Sequence, residues 1–342
     1  MKLRAIALAA GTLLAGAATA QSNVVIYGIA DAGIARSDTS TTPAVWRLQS
    51  GQQSGSRIGF RGTEDLGGGL SAIFVLENGF SIDDGSFAQS GATATTPAGT
   101  RLFGRQAYVG LKSGNGTLRV GRLETPMHAA FLVVDPFATN LAGNIENVFN
   151  PYAIRMDNTI NLSHSIGAFS GELAYGFGEQ AGSISANRQI GANFVYSAGP
   201  LAAMATYHQA KPSAGATGAG SAADDSRTLL LGAVYDFKVA KLHLAFAENR
   251  SDDALGAADG KSRDMMIGTT VKVGASGTVL ASWIRKDDRF GAGTGDRDQL
   301  AIGYSHSLSA RTNLYTSFAR TDRKPATQAD STLFNAGIRH RF

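Results

Sequence analysis

Residues 169–178 read FSGELAYGFG, and the period they follow decides the fold. Phe169, Gly171, Leu173, Tyr175 and Phe177 fall on one side of an extended chain. Ser170, Glu172, Ala174, Gly176 and Gly178 fall on the other. That period of two marks a strand with one apolar face. The alternation returns in RQIGANFVYSA (188–198), TLLLGAVYDF (228–237) and DQLAIGYSHSL (298–308). Runs of about ten alternating residues are longer than most globular strands. With 42 glycines and 8 prolines in 342 residues, the chain favours turns over long helices. After residue 20 no uninterrupted apolar run of eighteen residues occurs, so a transmembrane helix is not predicted. A membrane barrel leaves no such mark, because its strands alternate.

The connections also fall into two kinds. Short ones carry turn residues: DLGG at 65–68, SGNG at 113–116, GP at 199–200, KVA at 238–240, GASG at 274–277, SAR at 309–311, and a tight turn near Gly167. Long polar ones span 35–53, 82–100, 123–153, 179–187, 211–225, 251–262, 288–297 and 322–331. Seven short and eight long connections join sixteen strands, short on one rim and long on the other. That is the plan of a transmembrane antiparallel β-barrel, all-β in class. In lipid no water satisfies an open sheet edge, so the sheet must close. Tyr27, Phe60, Phe177, Tyr196, Phe237, Tyr304, Tyr315 and Phe342 lie near strand ends, where aromatic girdles are expected. The last strand, TLFNAGIRHRF, keeps its alternation to the final Phe342.

Residues 1–20, MKLRAIALAAGTLLAGAATA, have the layout of an export signal: Lys2 and Arg4, an apolar core over 5–17, and Ala18-Thr19-Ala20 as the cleavage site. The mature barrel would then run over 21–342. Without Lys2 and Arg4, 29 basic residues face 27 acidic ones, a net charge of +2. A balance so close to neutral gives no reason to expect a nucleic-acid partner. Cysteine is absent, and the six histidines form no metal-ligand spacing, so no metal site or cofactor is predicted. Asp252, Asp253, Asp259 and Asp264 surround a polar loop, but without the regular spacing of a calcium loop.

Five stretches, in order, carry a resemblance: NVVIYGIADAGI (23–34), SGSRIGFRGTEDLGGGLSAIFVLENGF (54–80), GRQAYVGLKSGNGTLRVGR (104–122), VDPF (134–137) and GIRHRF (337–342). Together they make the chain resemble the Gram-negative general porins of the betaproteobacterial and neisserial type. The resemblance implies a sixteen-stranded barrel, a homotrimer in the outer membrane among lipid and lipopolysaccharide, and passive diffusion of ions and small hydrophilic solutes. It further implies that the terminal Phe342 strand is read by the outer-membrane assembly machinery, and that the longest loop folds inward to narrow the pore.

That loop, 123–153, holds Glu124, Asp135 and Glu146 but no lysine or arginine. Its apolar centre, Phe131 to Val134, suits packing against an inner wall, as loops of this length usually have a function. Asp135, in VDPF, is expected at the centre of the constriction. Arg57, Arg122 and Arg155 match the wall positions that the resemblance sets opposite the loop. Arg155 fits alternation, sharing a face with Asp157, Thr159, Asn161 and Ser163. Arg122 shares parity with Leu118 and Val120, so a bulge or a subunit-facing strand must be assumed. Arg105 conflicts with Ala107, Val109 and Leu111 and is assigned to the rim. Arg101 is a further candidate, and Glu77 and Asp157 complete the predicted pore lining. Arg61 lies about 13 Å along the strand from Arg57 and should line the exit. Cations facing carboxylates across a narrow aqueous section order the water there and set ion preference. A weak anion preference is expected.

Two other functions compete. A solute-specific channel would use the same barrel with a binding ladder; Phe131, Phe137, Phe149 and Tyr152 are few for that purpose. A barrel hydrolase would need Ser and His side by side in space. Ser163 and His164 are adjacent but point to opposite faces of a strand.

Overall fold

Alternation becomes a single closed sheet. The computed structural model describes residues 23–89, 101–149, 152–212, 224–253, 260–289, 295–324 and 329–342; the expected export signal lies outside them. Strands are β1 Asn23–Thr39, β2 Thr42–Ser50, β3 Arg57–Gly67, β4 Leu70–Gly79, β5 Gln106–Ser113, β6 Gly116–Glu124, β7 Arg155–Ile166, β8 Phe169–Gly176 and β9 Gln189–Ala198. They continue as β10 Leu201–Ala210, β11 Asp224–Asp236, β12 Ala240–Asp253, β13 Gly260–Val273, β14 Gly277–Asp288, β15 Asp296–Ser307, β16 Thr312–Lys324 and β17 Ser331–Arg341. From β3 to β17 every strand pairs antiparallel with its sequence neighbour, and β1 pairs with β17, which closes the ring. β2 and β3 pair in turn with the two halves of β1, so they are one stave interrupted at 51–56. Sixteen staves result.

Closure pairs the two edges of the sheet, as a lipid-facing sheet requires, with residues 23–27 reaching past the end of β17. At the seam Phe342 donates its backbone N–H to Gly28 and accepts one from it, at 3.1 and 3.0 Å. Seven tight connections close one rim. Several rest on glycines with positive φ, such as Gly114 (53°), Gly167 (56°) and Gly199 (57°), where a side chain would be strained. The outward face is apolar: Leu173 is 62% exposed, Leu300 64% and Ile302 56%. Exposure of that size over a whole face suits lipid.

Two expectations need correction, and one is extended. Residues 35–53 are mostly strand, because Trp46 and Leu48 continue the alternation as an extended hairpin with β1. Tyr27 and Tyr315 are not girdle residues; both face inward, donating to Glu77 at 2.9 Å and to Asp31 at 2.6 Å. The long connection after β6 also contains a helix, α1 Pro126–Val134. Thr125 caps it, accepting the His128 N–H at 3.1 Å, and Pro126 starts it without a donor to waste.

The core sits inside the ring. Met127, Ala130, Phe131 and Val134 of α1 pack on Met204, Leu230, Ala245 and Met266, the inward residues of β10 to β13. Phe137, Leu141 and Ala142 continue the contact onto Leu280, Ala301 and Ala319 of β14 to β16. The loop is thus spread over one side of the lumen.

Candidate functional site

Across the lumen from the loop, β3 to β7 carry a basic wall. Arg57 opens β3 and Arg155 opens β7. Between them runs an alternating chain of charge. Arg57 lies 3.8 Å from Glu77, Glu77 2.7 Å from Arg105, Arg105 3.7 Å from Glu124, and Glu124 3.5 Å from Arg155. A second, shorter chain joins Arg101 to Asp157 at 3.0 and 2.7 Å, with Arg122 on the same carboxylate. Each chain begins and ends in a guanidinium. Five arginines face three carboxylates, so the wall is positive.

Backbone carbonyls hold the guanidiniums in place. Arg57 donates to Gly55 O at 2.9 Å, Arg122 to Gly104 O at 2.8 Å, and Arg155 to Arg105 O at 2.8 Å. Arg122 reaches the lumen through a bulge: Gly121 pairs with Thr159 but Leu123 with Met156, and Asn158 takes φ 52° as the extra residue of β7. Leu118 and Val120 therefore stay outside while Arg122 turns in. Arg105 is not at the rim. It precedes β5, where strand parity does not apply, and its side chain is buried against Glu77. Arg61 stands over the Tyr27 ring at 5.2 Å, nearer the β3–β4 turn. The structure thus brings together Arg57, Arg101, Arg105, Arg122, Arg155, Glu77, Glu124 and Asp157, and leaves Arg61 apart.

Two predicted acids of the loop have other places. Glu124 belongs to the basic wall, because β6 carries it past the bulge to Arg105 and Arg155. Asp135 is not an exposed pole. It is 2% exposed and accepts the backbone N–H groups of Phe137, Thr139 and Ile145 at 2.9, 2.8 and 3.1 Å. Those bonds hold the turn in which Ala138, Thr139 and Leu141 take positive φ. Burial pushes its carboxyl up to about 7 despite the three donors, so it is a poor source of fixed negative charge. Glu146 remains, in a single helical turn over Ile145–Asn147. Tyr152 donates to it at 2.5 Å, and His128 lies 3.5 Å away. Burial pulls the Glu146 carboxyl up, but the His128 and Tyr152 bonds outweigh it and hold the group below its usual range.

Residues 51–56, between β2 and β3, form a second inward fold that the sequence reading missed. Asp31 is fully buried and accepts the N–H groups of Gln53 and Ser54 at 3.0 and 2.7 Å. Arg339 donates to Ser54 at 2.8 Å, and Gln52 O receives the loop's Leu141 N–H at 2.6 Å. This fold therefore links the base of Arg57 to the loop. An aspartate among the apolar residues of β1 was the available signal. Among the described residues no group of three His, Asp or Glu side chains could hold a metal. Asp259 and the Asp253 side chain lie outside those residues, and Asp252 and Asp264 occupy opposite faces of the barrel wall.

The profile of the Gram-negative porin family matches residues 5–326 of the chain. An outer membrane porin protein of Bordetella pertussis is 33% identical over 99% of both chains. The outer membrane porin protein 32 of Delftia acidovorans is 33% identical over 95% of this chain and 91% of that one. Among solved structures, an anion-selective porin from Comamonas acidovorans superposes with a TM-score of 0.81 at 29% identity, covering 94% of this chain and 100% of the other.

Proposed function

The chain belongs to the Gram-negative porin family, and from that premise we propose that its channel prefers anions weakly. It is an outer-membrane barrel that lets ions and small hydrophilic solutes diffuse passively. The observation that carries the preference is the wall of five arginines against three carboxylates, across from a loop that offers only Glu146 as a partly exposed acid among the described residues. Arg57 and Arg122 are the guanidiniums with most contact to the lumen, at 21% and 20% side-chain exposure. A positive wall in a narrow aqueous section raises the local anion concentration and repels cations. The loop's carboxylates and the wall's own three acids keep that bias small. The similarity to a porin described as anion-selective supports the same sign.

Chemistry at the lumen consists of fields and hydration, with no bond made or broken, so the reading is a channel and not an enzyme. A homotrimer fits the apolar extension of the β1–β2 hairpin. Ile34, Trp46 and Leu48 are exposed there, whereas the long-loop ends of β11 to β16 carry outward charges such as Arg250, Arg263 and Arg320. A lone barrel would expose this patch to headgroups and water, and a neighbouring protomer would cover it. Lipopolysaccharide around the charged sector, recognition of the Phe342 strand by the assembly machinery, and export through residues 1–20 complete the proposal.

Planar-bilayer recording tests it. Under a KCl gradient the reversal potential should take the sign of chloride selectivity. A potential of the cation-selective sign would overturn the proposal. Saturable block by one neutral solute would instead favour a solute-specific channel.

A further inference from the structure

A second basic row faces the lumen on the loop side of the barrel. Lys286 of β14, Arg297 of β15 and Arg323 of β16 are successive cross-strand partners: Lys286 pairs with Arg297, and Arg297 with Arg323. All three point inward. Lys286 shares parity with the fully buried Ile284, Arg297 with Gln299, and Arg323 with Thr321. Arg297 also donates to the loop at Asn147 O, at 3.4 Å. The row therefore lies directly above the shelf on which the loop rests, toward the long-connection rim.

Like charges placed directly opposite on neighbouring strands repel. Here two such pairs are consecutive. Lys286 has Asp288 at 3.8 Å, and Asp264 and Asp288 are the carboxylates that face Arg297. Asp330 accepts the backbone N–H of Arg323, while Arg323 spends one side-chain nitrogen on Ala329 O at 2.6 Å and Ser331 at 3.3 Å. Among the described residues no carboxylate lies within ion-pair distance of either the Arg297 or the Arg323 guanidinium. Arg297 Nε is buried with no hydrogen-bond partner among them. Adjacent guanidiniums with unused donors, facing water, are suited to a planar or tetrahedral oxyanion.

We propose that Arg297 and Arg323, with Lys286 beside them, form a docking site for small oxyanions of the phosphate or sulfate class in the outer vestibule. An anion held there is positioned before it meets the arginine wall on β3 to β7. The site rests on the anion-channel reading above and extends it to a specific place and ligand class.

The probe is inorganic phosphate, added on the long-loop side of single channels carrying chloride current. Phosphate should reduce that current in a concentration-dependent way, and less when added from the other side. In an Arg297→Gln, Arg323→Gln double variant the half-blocking concentration should rise about fivefold or more. Arg297→Lys should keep most of the block. Arg57→Gln, Arg155→Gln should alter the chloride reversal potential while leaving the outer phosphate block in place. Absence of block in the native channel, or equal block in the Arg297, Arg323 double variant, overturns the docking site. A native reversal potential of cation sign overturns the underlying anion reading instead, whatever phosphate does.

Discussion

Asp135 shows what parity and composition can say about a residue and where they stop. Its place in a long loop marked it as a candidate pole of the channel. Its job depends on three backbone N–H groups, which no side-chain pattern reveals. Asp135→Asn should therefore leave the reversal potential unchanged. Asp135→Ala leaves buried donors without an acceptor, at about 1–3 kcal/mol for each group. It should show as noisier current with brief larger openings as the loop loosens. A reversal potential that moves toward anions in Asp135→Asn would restore the residue as a pole. Arg155 and Arg57 were legible because each opens a regular strand. Arg122 was placed by the resemblance and an assumed bulge, against its parity, and Arg105 was misplaced at the rim because it lies just outside the ladder.

At the scale of elements, α1 and the loop it begins are held by apolar contact with a wall that is also apolar. The sequence held a sign of this: Leu229, Leu230 and Leu231 are consecutive, as are Met265, Met266 and Ile267. A strand facing water on one side has no need of both parities, whereas one buried on both faces does. Phe131, 1% exposed and stacked edge-on to Phe149 at 5.6 Å, is the central anchor. Phe131→Ala should cost about 3–5 kcal/mol of loop attachment. The expected outcome is higher mean conductance with an intact barrel, checked by unchanged β-sheet circular dichroism. Unaltered conductance would mean the loop is held elsewhere. Glu146 gives the loop a pH limit. Its carboxyl is held below the ordinary range, so its bonds to Tyr152 and His128 stabilise the loop at neutral pH and are lost as pH falls through the lowered value. Loss of those two bonds should raise current noise only at pH below the ordinary carboxylate range. Noise that already grows between about pH 7 and 6 would assign the control to Asp135, whose buried carboxyl is pushed up to about 7.

For the whole molecule, strand number, closure and the two rims were readable from alternation and connection length, because lipid on one side and water on the other enforce both. The inward fold at 51–56 was hidden, since it interrupts a stave whose two halves both alternate. The resulting lumen has a positive wall facing a mostly apolar shelf, and surface charge of this kind is screened by salt. The anion preference should therefore be largest near 0.1 M KCl and shrink toward 1 M; a preference that is independent of salt would point to steric selection. The most direct measurement compares reversal potentials under the same KCl gradient for the native channel and for Arg57→Glu, Arg155→Glu. Native channels should give a chloride-selective sign, and the double variant should move to the potassium side. Identical potentials for the two proteins would contradict the arginine wall as the source of selectivity.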